Sequence, residues 1–160
     1  MSTAALLPDM DTPRMDYVST RNAAPAVGLG QAIAAGLAPD GGLYVPAELP
    51  PPRALQAGPD LARTTATLLA PFFAGDALAA KLPAICAEAL DFPVPLRPLA
   101  TPGDHVLELF HGPPAAFKDV GARFLAACLA RLRRGAERPL TILVATSGDT
   151  GAAVAAAFHG

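Results

Sequence analysis

The spacing of apolar side chains changes several times along this chain, and each change predicts a different element. Tyr17, Val18, Ser19, Thr20 and Arg21 read as a short strand running into turn residues, and residues 29–35 have helical spacing that stops at Gly36. Gly41 and Gly42 then turn the chain into a strand, LYVP, which Pro46 ends. Pro50, Pro51 and Pro52 enforce extended backbone after it. Between residues 60 and 74, Leu61, Thr65, Leu68, Leu69 and Phe72 recur at three- and four-residue intervals, which predicts an amphipathic helix with one buried stripe. A second helix is expected from about Pro83 through Ile85, Ala89 and Leu90, because proline at a first helical position sacrifices no hydrogen bond.

Residues 92–103, FPVPLRPLATPG, hold four prolines and a glycine and read as a boundary. Beyond it the pattern becomes strand, loop, helix, strand, loop, helix. Residues 105–110 predict a strand and residues 111–116 a loop. A helix follows over 117–133, with Phe117, Gly121, Phe124, Leu125, Cys128, Leu129 and Leu132 on one face. Arg131, Arg133 and Arg134 suit the negative end of its dipole, and Gly135 closes it. Residues 140–145 are continuously apolar, as in a strand buried on both faces, and after the loop TSGDTG a helix begins near Thr150. Two strand-to-helix turns in succession predict a parallel sheet in an α/β fold. Two strands alone do not make a stable sheet, so the chain is expected to be part of a longer protein. The expected organisation is a disordered tail over 1–14, a small α+β domain over 15–95, and the start of a parallel-sheet domain over 96–160.

Composition narrows the function. A hydrophobic content of 52% supplies a core, while 16% charged residues and a net charge of -2 offer no basic surface for nucleic acid or an anionic membrane. No apolar run reaches the roughly 18 residues needed to span a bilayer. The first fifteen residues, with Asp9 and Asp11 ahead of Arg14, do not resemble a signal peptide. Cys86 and Cys128 stand alone, without CxxC or histidine pairs at metal spacing, which argues against disulfides and zinc and fits a cytoplasmic protein. His105, His111 and His159 are too scattered to form a ligand set.

Small-molecule chemistry is therefore the favoured class, and Lys118 is the residue that suggests which. The chain has ten arginines but only two lysines, Lys81 and Lys118, and Lys118 lies in HGPPAAFKD at the start of an apolar helix. A neutral primary amine can form a Schiff base, which a guanidinium cannot. The positive end of the helix dipole disfavours an ammonium there, and Phe117 offers an aromatic wall for a planar ring. The bland alternative is a surface lysine paired with Asp119. The second candidate is Thr146, Ser147, Gly148, Asp149, Thr150 and Gly151, whose hydroxyls and N–H groups suit a carboxylate or phosphate at a helix N-terminus. Its bland alternative is a helix cap by Asp149 or Thr150. It is not a P-loop, and GLGQAIAAG from Gly28 lacks the glycine spacing of a dinucleotide site.

Together these stretches resemble the threonine synthase family. YVSTRNAAP and APDGGLYVP resemble its N-terminal extension domain, ELFHGPPAAFKD its pyridoxal-lysine motif, and ATSGDTGAA its substrate-carboxylate loop. The resemblance implies a fold type II, tryptophan synthase β-like catalytic domain after the extension domain, truncated here. It also implies pyridoxal 5'-phosphate as cofactor and the conversion of O-phospho-L-homoserine and water to L-threonine and phosphate. Lys118 would carry the cofactor, with Phe117 and Asp149 beside it; Thr146, Ser147 and Thr150 would hold the substrate. The expected partner is this small molecule, without nucleic acid or membrane, in a monomer or weak homo-oligomer. A phospholyase of the same group, a dehydratase and a non-catalytic binding domain are the alternatives. Two positions depart from the family pattern: Pro114 replaces a hydroxyl residue after HGP, and Asn22 replaces a glycine after STR.

Overall fold

The computed structural model describes residues 14–52, 60–146 and 148–159, so that the expected tail, apart from Arg14, and the site residue Ser147 lie outside the described residues. Its first unit is a three-stranded antiparallel sheet in which β1 (Asp16–Ser19) runs between β2 (Val27–Gly28) and β3 (Tyr44–Pro46). Pro46, which cannot donate to a ladder, sits at the end of an edge strand, where a missing N–H costs least. Asn22 turns the chain after β1 with φ 55°. That left-handed backbone explains why glycine is expected there, and asparagine is one of the few other residues that enter it readily.

A polar knot fixes the sheet's end. Buried Ser19 donates to Asp40 Oδ1 at 2.7 Å, and the same carboxylate accepts the N–H groups of Gly42 at 2.9 Å and Ala23 at 3.0 Å. These bonds, the Ser19 hydroxyl first, hold the Asp40 carboxyl below its usual pKa. The stretches STRN and APDGG are thus joined by structure rather than by chemistry.

Helix α1 (Leu29–Ala35) ends at Gly36, whose φ of 72° suits glycine. Helix α2 (Leu61–Leu69) starts where Asp60 accepts the Arg63 N–H at 2.7 Å, and it tightens into a 3-10 turn over Ala70–Phe73. A second 3-10 turn, Ala79–Lys81, leads into α3 (Leu82–Ala89), with Pro83 in its first turn as the sequence predicts. Between them Asp76 accepts the N–H groups of Gly30 and Leu78, each at 2.9 Å, and ties α1 to this corner. The core is built on Leu78, Ile85, Cys86 and Cys128, the last from α4 (Lys118–Leu132). Burying a side chain the size of Leu78 or Ile85 contributes about 2 kcal/mol.

The remaining elements are β4 (Leu96–Pro98), β5 (His105–Leu107) and α5 (Asp149–Phe158). Three expectations are corrected here. The strand expected over 105–110 is shorter, and it pairs antiparallel with β4, so the proline-rich stretch is one arm of a hairpin. Residues 140–145 form no strand and are exposed rather than buried on both faces, with Leu143 90% exposed. Among the described residues no neighbouring strand offers them a ladder, and an apolar run without a partner has nothing to be a strand against. The buried face of α4 also differs: Phe124, Ala127, Cys128 and Leu132 pack inward, while Phe117, Gly121 and Leu125 face solvent. The stripe is set by contact with α1 and α3, which the periodicity of one helix cannot orient. The mixed α/β class holds, with α4 of the second half packed into the core of the first.

Candidate functional site

The segment that delivers Lys118 leaves β5 through Glu108, whose N–H bonds to the Pro95 carbonyl at 3.0 Å and extends the hairpin. Glu108 Oε2 accepts His111 Nε2 at 2.7 Å and lies 3.8 Å from Arg97 Nε. The His111 ring also rests on Phe110, centroids 4.8 Å apart. The chain then folds back, with the Ala115 N–H on the Gly112 carbonyl at 2.9 Å and Ala115 at φ 52°. Two short-range bonds, Asp119 N–H to Ala116 and Val120 N–H to Phe117, each 3.2 Å, start α4 as a tight turn.

Lys118 is the first residue of that helix and half-exposed. Its Nζ lies 3.6 Å from the centroid of the Phe117 ring, and Phe117 is 57% exposed. Among the described residues Lys118 forms no ion pair. The alternative of a lysine paired with Asp119 is therefore not what the structure holds: the Asp119 side chain turns inward and is 1% exposed. Among the described residues both its carboxylate oxygens lack a hydrogen-bond partner, and burial pushes its pKa up, with Arg123 acting against the shift. The reactive-looking amine and a buried orphan acid are thus adjacent in sequence but point apart.

In the second loop Gly148 adopts φ 156° and ψ -94°, a conformation open to glycine, and α5 begins at Asp149. The cap position is Gly148, and among the described residues no side chain caps the helix, so the alternative of a cap by Asp149 or Thr150 is not what the structure holds. The Thr146 methyl group packs where a Cβ on Gly151 would stand. Thr146, Asp149 and Thr150 are all exposed.

No hydrogen bond or ion pair joins Lys118 to this loop among the described residues, but the helices relate the two. Helices α4 and α5 pack together, and Leu129 and Arg133 of α4 line a cavity of about 310 Å³ with Ala157 and Phe158 of α5. Packed helices whose C-terminal turns meet run in the same sense. Their N-termini, which carry Lys118 and the Thr146–Thr150 loop, therefore lie toward one end of the molecule. Two helix N-termini and the exposed hydroxyls of Thr146 and Thr150 suit an anionic ligand.

The cysteines take no part. Both are buried free thiols, and burial raises the pKa of Cys86 and pushes that of Cys128 up to about 11, so neither is a ready nucleophile. Among the described residues no cluster could hold a metal, and no helix is long and apolar enough to cross a membrane. Sequence reasoning missed Asp119 as a buried acid and His111 as Glu108's partner. The Glu108 and His111 spacing of three was a usable signal; the inward turn of Asp119 had none, because it depends on packing against Gly112.

Comparison with known proteins points to one family. Residues 16–90 match the family model described as threonine synthase N terminus. The chain is 38% identical over 148 residues to a threonine synthase of Haemophilus influenzae, covering 91% of this chain and 34% of that protein. It is 41% identical over 138 residues to one of Serratia marcescens, covering 84% and 32%. A PLP-bound threonine synthase structure from Brucella melitensis superposes with a TM-score of 0.81 at 41% identity, covering 90% of this chain and 33% of that one. The threonine synthase structure from Escherichia coli gives 0.79 at 36% identity, with 91% and 34% covered. The chain spans about a third of the length of these relatives.

Proposed function

We propose, from the premise that this chain belongs to the threonine synthase family and corresponds to the N-terminal third of its members, that it supplies the lysine side of a pyridoxal 5'-phosphate site. The reaction would convert O-phospho-L-homoserine and water to L-threonine and phosphate. The observation that carries this reading is Lys118, a primary amine with no ion pair among the described residues, lying over an aromatic ring at the same end of the molecule as a hydroxyl-rich helix N-terminus. Those residues fit the cofactor: an amine for its aldehyde, the Phe117 ring beside it, and exposed Thr146, Asp149 and Thr150.

Bound pyridoxal phosphate supplies an electron sink that makes the α-proton of an amino acid removable. The chain's own residues do the rest. Lys118 Nζ would hold the cofactor through its aldehyde and, with substrate bound, would take protons at the substrate's α- and β-carbons and return them at the α- and γ-carbons, as loss of phosphate and addition of water at the β-carbon require. Thr146, Ser147 and Thr150 bind and orient the substrate, while Asp149 and Phe117 position the cofactor. The two buried free thiols support a cytoplasmic enzyme, and the low charge one that binds no nucleic acid.

The test is Lys118→Ala in the full-length enzyme. It should lose the visible absorbance of the lysine-bound cofactor, lose the borohydride-trapped adduct, and fall in rate by about a thousandfold or more. A variant that kept absorbance and trapping would overturn the assignment.

A further inference from the structure

Among the described residues Asp119 is the buried charged side chain that the proposed chemistry leaves unexplained. The residue is 1% exposed and, among the described residues, neither carboxylate oxygen has a hydrogen-bond partner. A buried unpaired acid is costly, and native structures rarely keep one without use. Arg123, one turn along α4, is the natural partner for it. Instead Arg123 gives its donors to the carbonyls of Ala89 and Glu88, each at 2.9 Å, and to the Asp91 carboxylate.

Facing the orphan acid is Gly112 of the His111–Phe117 loop. A Cβ there would overlap the Asp119 carboxylate, so only glycine allows the approach. Gly112 is itself buried, and among the described residues its N–H meets no acceptor. An unpaired buried donor and an unpaired buried acceptor thus stand side by side. Along the chain between Gly112 and Lys118 lies Ala115, a non-glycine residue at φ 52°, which is where a change in the loop would relieve strain.

We propose that Asp119 is a positioning residue for Lys118: its carboxylate accepts the Gly112 N–H when the loop closes, and that closure moves Lys118 from the Phe117 ring toward the bound cofactor. The inference rests on Lys118 being the reactive amine. It assigns Asp119 no contact with substrate or cofactor.

The test uses the full-length enzyme. Asp119→Leu keeps the branched shape but has no acceptor, whereas Asp119→Asn keeps one acceptor oxygen. With pyridoxal phosphate as the probe, Asp119→Leu should form the lysine adduct between about tenfold and a hundredfold more slowly. Asp119→Asn should stay within about threefold of wild type, a rescue that loss of packing alone would not give. A wild-type rate in Asp119→Leu, or equal slowing in both variants, overturns the proposal. Should Asp119→Leu fold poorly, amide exchange decides: in wild type the Gly112 N–H should become protected on adding pyridoxal phosphate, and an unchanged exchange rate there overturns the proposal. If wild type forms no lysine adduct at all, the Lys118 reading has failed, and that result is distinct from each of these.

Discussion

Asp40 and Asp119 divide the molecule into two kinds of region. Around the β1–β3 sheet, Asp40 is met by a hydroxyl and two backbone N–H groups, and Asp76 by two more, so the acidic acceptors there are satisfied by the chain itself. Around the loops that start α4 and α5, Asp119 is buried without a partner among the described residues, residues 140–145 lie exposed, and Thr146, Asp149 and Thr150 face solvent. The first region has spent its polar groups on its own fold. The second holds its groups open, which is the state of a surface that expects a ligand or further structure.

The largest test of that division is in the core of the first region. Ile85 is fully buried, packed with Leu78, Cys86 and Cys128. Ile85→Ala should cost about 2–5 kcal/mol, read as a lower urea midpoint for the 160-residue chain. A loss under about 1 kcal/mol would mean that the core is loosely packed in solution, and the contrast between a settled and an open region would fail.

Much of the settled region was legible in the sequence because its signals are local. Gly36 ends α1, Asp60 caps α2 and Pro83 lies in the first turn of α3, each decided by backbone geometry within a few residues. The position of Lys118 at a helix start was legible for the same reason. The strand expected over 140–145 was not, since strand formation needs a neighbour that local pattern does not contain. Nor was the role of Asp119, whose adjacency to Lys118 in sequence suggested an ion pair that the helix geometry turns apart. Ser147 lies outside the described residues, so its place in the second loop rests on the resemblance.

A sharper test compares the two acids by pH, because their shifts have opposite sign. Asp40 is held below its ordinary value of 3.8, chiefly by the Ser19 hydroxyl, so its ionised form stabilises the fold above that pH and the contribution is lost as pH falls through the folded value. Asp119 is held above 3.8 by burial, so its contribution is present below 3.8 and lost as pH rises through the folded value. Asp40→Asn should therefore be less stable than wild type at pH 7, and Asp119→Asn more stable. The Asp119 difference should shrink as pH falls toward 3.8, and the Asp40 difference as pH falls below it. Urea melts of the three proteins between pH 7 and 3 would show two curves approaching wild type from opposite sides. Two curves on the same side would mean that Asp119 is paired in solution.

The smallest effect is the most exacting, because the two regions make opposite claims about an apolar residue. Leu143 sits in a run whose composition resembles a buried strand, yet its side chain is 90% exposed and removes almost no apolar surface from water. Stability follows area buried, not residue type. Leu143→Ser in the 160-residue chain should then shift stability by no more than about 0.5 kcal/mol, where the same change at Ile85 would be severe. A cost of about 2 kcal/mol or more would show that residues 140–145 find a partner in solution. The open region would then be closed by a contact made within this chain or between its copies, and melts at two protein concentrations would separate those cases.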